Sequence, residues 1–198
     1  RLPIFSLRFR SDEGELHYGF VVRLLNDLFG IQARGGCSCA GPYGHTLLDL
    51  TPEHSEALAA EVTRGFGCLR PGWVRFNLHW LSNEEEVDYV LRAMTLIARW
   101  GSRLLPSYTL DTKTGLWQHR EFQEAPPASL DDFMLADPQK VLSPSCASPV
   151  ELLDIAEQAL SSGAPHHHHL QATEAHHKTP WPSQAEALCW FLRPHDAS

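Results

Sequence analysis

Apolar positions recur with two distinct periods through the first hundred residues and lose that regularity beyond Gly101. Leu2 to Phe9 is a short apolar run with Pro3 near its start, where a missing N–H is tolerated, and it reads as a strand. Ser11-Asp12-Glu13-Gly14 reads as a turn. From His17 to Phe29 the apolar residues Phe20, Val21, Leu24, Leu25 and Leu28 fall on one helical face, with Gly30 as the expected C-cap. Ile31 to Arg34 reads as a short strand, and Gly35 to Gly44, with its four glycines and Pro42, reads as a loop. Thr51-Pro52-Glu53 opens a helix, because Thr caps, Pro suits the first turn and an acid favours the positive end; Gly65 ends it. Gly72 to Trp80 alternates like a strand. Ser82-Asn83-Glu84-Glu85 opens a third helix that runs through Val87, Val90, Leu91, Met94, Ile97 and Ala98 to Gly101. This order of strands and helices predicts an α/β or α+β layered domain.

We therefore divide the chain into a patterned unit, residues 1–101, and an extension, residues 102–198. In the extension Leu116 to Phe122 reads as a strand after the Lys113-Thr114-Gly115 turn, and Ser148 to Leu160 reads as a helix with Gly163 beyond it. The His- and Pro-rich stretch 161–183 reads as a linker, and Ala185 to Leu192 as a short amphipathic end.

Charge narrows the partners. Lys and Arg total 16 against 24 Asp and Glu, a formal charge of −8, which argues against a nucleic-acid binder. No apolar run approaches the ~18–20 residues of a membrane span, and the opening residues are too short and charged for a signal peptide. The chain opens at Arg1 rather than Met, and we expect a piece of a longer polypeptide. Five cysteines (Cys37, Cys39, Cys68, Cys146 and Cys189) do not make the dense, even framework of a small secreted domain, so a reducing cytoplasmic setting is expected.

The candidate chemistry lies in Gly30-Ile31-Gln32-Ala33-Arg34-Gly35-Gly36-Cys37-Ser38-Cys39-Ala40-Gly41-Pro42. Glycines let the backbone approach a ligand, an Arg at a strand end can grip a carboxylate or phosphate in two places, and a Cys beside it can become a nucleophilic thiolate. The plainer reading is a tight turn with two small buried thiols.

The same stretch resembles the C-terminal small domain of class V, fold-type I pyridoxal-phosphate enzymes, the aminotransferase and cysteine desulfurase-like group. The matching positions are Gly30, Ile31, Arg34, Gly36, Cys39, Ala40 and Pro42, followed in order by Val74-Arg75-Phe76-Asn77-Leu78 and Asn83-Glu84-Glu85-Glu86-Val87-Asp88. The resemblance covers residues 1–101. It implies a short sheet with helices packed on one face; the less regular C-terminal extension has no counterpart in the resemblance. It implies that Arg75 binds the α-carboxylate of an amino-acid substrate, that Arg34 supports the loop or the substrate, and that Cys39 occupies the position of the sulfur-accepting cysteine. It further implies a homodimer in which an upstream large domain holds the cofactor, pyridoxal phosphate, through a lysine. Two departures stand out: a longer insertion between Cys39 and Arg75, and Gly36-Cys37-Ser38 before the candidate cysteine. The three lysines, Lys113, Lys140 and Lys178, all follow the loop, so this stretch is expected to hold no cofactor by itself and to be inactive alone. The alternatives are a non-catalytic binding or regulatory module that keeps the small-domain fold, or a zinc-binding module.

Arg75, Asn77 and His79 alternate along one strand and are expected to share a face with the substrate; His17 is a further pocket candidate. His166 to His169 with His176 and His177 could bind metal, but consecutive His in a loop lack the fixed geometry of a structural site. A zinc cluster of Cys37, Cys39, Cys68 and His45 lacks paired C-x-x-C spacing, and no metal site is assigned.

Overall fold

A computed structural model of the chain describes residues 3–37, 41–122, 148–163 and 181–196. Within these, β1 is Ile4–Leu7, β2 Phe9–Ser11, β3 Gly14–Leu16, α1 Tyr18–Phe29, β4 Arg34–Gly36, α2 Gly41–Leu47 and α3 Pro52–Thr63. They continue as β5 Trp73–Asn77, α4 Glu84–Trp100, β6 Tyr108–Leu110, β7 Trp117–His119, α5 Pro149–Ser162 and α6 Ser183–Ala187. A single-turn 3₁₀ segment, Gly67–Leu69, precedes β5, and a longer one, Gly101–Ser107, precedes β6. The arrangement is α+β, built on small antiparallel sheets.

The long helices begin and end where local chemistry directs. His17 caps α1 by accepting from the Gly19 amide, and Gly30 ends it at φ 64°, a left-handed conformation that glycine takes without steric penalty. The Gly30 and Ile31 amides then satisfy the last carbonyls, of Asn26 and Leu25. Thr51 caps α3 with Pro52 behind it, and Asn83 with Glu86 forms a reciprocal capping box on α4. Ser148 with Glu151 does the same for α5.

The main sheet has the order β1-β5-β4, with both outer strands antiparallel to β5. β1 and β4 therefore run the same way, and α1 makes the crossover between them. That leaves a central slot, which β5 fills only after α2 and α3. One sheet face, carrying Val74 and Phe76, packs into the apolar core with α1. Phe20, Val21, Leu24 and Leu25 of α1 are wholly buried there, and burying each such side chain stabilises by ~1.5–3 kcal/mol. The chain approaches itself closely at Gly72, where a Cβ would stand 2.6 Å from the Gly36 Cα.

Several readings shift in detail. The first apolar run breaks at Arg8 into β1 and β2, and β2 turns back on β3 as a hairpin. The second strand is Arg34–Gly36 rather than 31–34. Part of the glycine-rich loop is helical, as α2. Residues 164–180, which hold most of the predicted linker and the histidine tract, lie outside the described residues. One apolar cluster spans both sides of residue 101: Leu104, Leu105, Tyr108, Trp117, Leu153, Leu160 and Phe191 join the residues of α1 and β5.

Candidate functional site

Alternation along β5 decides what the sheet presents. Val74 and Phe76 are buried, whereas Arg75 and Asn77 between and beyond them are exposed on the opposite face. Register sets their neighbours. Arg75 lies directly across from Ser6 on β1 and from Arg34 on β4, and Asn77 lies across from Ile4. Residues directly opposite in an antiparallel pair share a face, with Cα atoms ~4.5–5.5 Å apart. Ser6, Arg75 and Arg34 thus form a row across three strands, and all three are exposed. Among the described residues Arg75 makes no ion pair.

His79 does not extend this row. β5 ends at Asn77, and His79 sits in the turn that follows, exposed, its Nδ1 accepting the Leu81 amide at 3.2 Å. The expected alignment of Arg75, Asn77 and His79 therefore holds for the first two only. The strand stops before the pleat can carry His79 onto the face.

At the Gly36 end of the face, Trp73 is covered by α2: a Cβ on Gly44 would come within 3.4 Å of its ring and 3.5 Å of the Cys37 Cβ. The Trp73 Nε1 is buried and has no hydrogen-bond acceptor among the described residues. Such an orphaned donor costs about 1–3 kcal/mol, so it is an uncommon feature. Cys37 is a half-buried free thiol beside it. Cys39, the candidate nucleophile, lies outside the described residues, as do Ser38 and Ala40.

Cys68 is fully buried, and burial, with the nearby Cys189 second, pushes its thiol up to about 12. It therefore stays protonated at neutral pH and is no nucleophile.

His17 belongs to a separate, structural centre. Its Nδ1 accepts both the Gly19 amide at 3.0 Å and the Trp117 Nε1–H at 2.9 Å, so the proton resides on Nε2, which donates to the Cys68 carbonyl at 3.1 Å. The rings of Tyr18, Trp117, Trp190 and Phe191 surround it with centroids 4.2–5.9 Å away. Desolvation in this box lowers its pKa to about 3. His17 is neutral and fully committed, not a pocket base.

Sequence reading missed a cleft of about 890 Å³ between α1, the β6–β7 hairpin and α5. Asp27 anchors it, accepting from Arg23 Nε at 2.8 Å and from the Tyr108 hydroxyl at 3.1 Å. Burial and the Asp27 carboxylate raise the Tyr108 hydroxyl far above its usual range, so it serves as a donor only. Arg23 also lies over the Phe122 ring at 4.7 Å. Nothing in the spacing of Asp27 and Tyr108, 81 residues apart, signals the pair.

Among the described residues no set of three His, Cys, Asp or Glu side chains is placed to hold a metal ion. No described helix is long and apolar enough to cross a membrane. Pyridoxal phosphate needs an amine for its Schiff base. Lys113, the lysine among the described residues, is exposed in the β6–β7 turn, so these residues do not fit the cofactor by themselves. No family model, curated protein or solved structure matches the chain.

Proposed function

We propose that this chain supplies the substrate-binding small domain of a pyridoxal-phosphate-dependent class V aminotransferase-like enzyme. Arg75 carries the reading: a guanidinium at the middle of the central strand, exposed on the face away from the core and unpaired among the described residues. There it would hold the α-carboxylate of an amino acid by two parallel hydrogen bonds. Arg34 and Asn77 border the same face, and Cys39 follows Arg34 by five residues.

Two further features support the reading. The three strands of the main sheet are separated in the chain by helices, with the last of them, β5, in the centre, which suits a small domain that lays one bare sheet face against a cofactor-bearing partner. Of the residues in the sequence matches, Arg34, Arg75 and Asn77 lie on that face. The cofactor lysine would come from the partner domain, in a homodimeric, cytoplasmic enzyme acting on an amino acid by transamination, elimination or desulfuration. Electron withdrawal from the substrate is the chemistry the cofactor supplies when bound.

The test is to isolate the native gene product containing this chain and record its visible spectrum. A bound pyridoxal phosphate band that responds to added amino acid is the expected result. In that product Arg75→Gln should raise KM at least a hundredfold, since a bidentate charged contact is worth several kcal/mol. A gene product without the cofactor would replace this reading with a non-catalytic anion-binding module.

A further inference from the structure

The cleft between α1, the β6–β7 hairpin and α5 takes no part in the proposed function and shares no residue with the sheet face that carries Arg75. Its volume of about 890 Å³ falls within the ~300–1,000 Å³ of small-molecule pockets. One side of it is apolar, lined by Leu28, Leu104, Phe122, Leu152, Ile155 and Ala159. Phe122 remains 44% exposed and Ile155 47%. Two large apolar side chains left open in one concavity mark a surface that a ligand can cover.

The charged groups of the cleft are Arg23, Asp27 and Glu121. Asp27 is satisfied from within the protein: it accepts from Arg23 Nε at 2.8 Å, from the Asn26 side-chain amide at 3.1 Å and from the Tyr108 hydroxyl at 3.1 Å. Arg23 commits its charge to that pair and its guanidinium to the Phe122 ring, 4.7 Å from the centroid. His119 also lines the cleft, and its Nδ1 accepts the Glu121 amide at 3.3 Å, a role closed to the protonated ring. Glu121 is left over: among the described residues no cation pairs with its carboxylate. The cleft therefore holds one unbalanced negative charge beside an apolar wall. The chain as a whole carries −8, so near and distant charge both favour a cation.

We infer that this cleft binds a hydrophobic primary amine, with the ammonium paired to Glu121 and the apolar body laid against Phe122, Leu152 and Ile155. A bare metal ion suits it poorly, because among the described residues no three ligating side chains meet and the apolar wall would stay uncovered. An anion is opposed by Glu121 and gains little from Arg23, whose charge Asp27 already balances. The inference stands independently of the Arg75 assignment and of pyridoxal phosphate.

The experiment titrates the 198-residue chain with 2-phenylethylamine, 2-phenylethanol and phenylacetate, following binding by calorimetry and by the NMR signals of the Ile155 methyls and the Phe122 ring. The three probes share a phenyl body of similar length and differ in the charge of the head. The amine should bind at least ten times more tightly than phenylacetate. It should bind about fivefold more tightly than the alcohol, the upper end for an ion pair in partial contact with water. Glu121→Gln should bring the amine and the alcohol to equal affinity and leave the alcohol unchanged. The Ile155 and Phe122 signals should shift with the amine in both proteins.

No binding of the amine, phenylacetate binding as tightly as the amine, or a Glu121→Gln variant that keeps the amine's advantage overturns the inference. So does amine binding that leaves the Ile155 and Phe122 signals unmoved, since the site is then elsewhere. Glu121 is only half-buried, and the ranking of the three probes on the unaltered chain stands even if the variant misfolds.

Discussion

The Nδ1 of His17 accepts the indole N–H of Trp117 at 2.9 Å, joining residues 100 positions apart in the chain. The bond ties the N-terminus of α1 to β7 and fixes the tautomer that donates to the Cys68 carbonyl. Replacing Trp117 by Phe keeps most of the ring and removes the donor. We expect a loss of about 1–3 kcal/mol in chemical denaturation, because one of the two donors to a buried nitrogen disappears. A change below about 0.5 kcal/mol would show that the bond contributes little.

The same histidine predicts a pH dependence. In the unfolded chain His17 titrates near its ordinary value of 6.5, and in the fold near 3. Between these values the unfolded state binds more protons, so stability is fully present above 6.5 and is lost as pH falls towards 3. From pH 7 to pH 5 this one group should remove about 2 kcal/mol. The check is the slope of unfolding free energy against pH, compared with His17→Asn. If the two slopes are equal, His17 does not titrate as a buried neutral group.

Thiol reactivity should separate the cysteines. Cys37 is half-buried, whereas Cys68 is fully buried with its thiol pushed up to about 12. Iodoacetamide at pH 8 should label Cys37 in the native protein and spare Cys68 until denaturant is added. Peptide mass spectrometry gives the order. Equal native labelling would mean that the Cys68 region opens readily.

Trp73→Phe removes the orphaned indole donor while keeping an aromatic ring against α2. The lost ring area and the relief of an unsatisfied donor oppose one another, so stability should change by less than about 1 kcal/mol. A loss above about 3 kcal/mol would mean that the N–H has a strong acceptor.

Asn83→Ala dismantles the capping box with Glu86. A cost of about 1 kcal/mol in thermal or chemical unfolding is expected, and Glu86→Ala should account for part of the same loss rather than adding to it.

What could be read from the sequence follows from the range of the forces involved. The helices α1, α3, α4 and α5 were legible because their signals lie within one turn: an apolar face at 3.6-residue spacing, a cap residue before it, and Gly30 or Gly163 after it. The strand at Gly72 to Trp80 was legible from alternation, though its end at Asn77 was not, because a strand stops where its partners stop. The helical turn of α2 hid in a glycine-rich stretch, where local propensity argues for a loop.

By itself, then, the sequence determined which segments are amphipathic, where most helices begin and end, and that Arg34, Arg75 and Asn77 stand out as candidate ligand contacts. Tertiary structure alone decided that β5 inserts between β1 and β4, and hence that Arg34 and Arg75 become neighbours 41 positions apart. It also decided that His17 is enclosed by rings from Trp117, Trp190 and Phe191 and lost to chemistry. The reason is that register and enclosure are set by contacts between distant segments, whose energies depend on the packed whole and leave no local period in the chain.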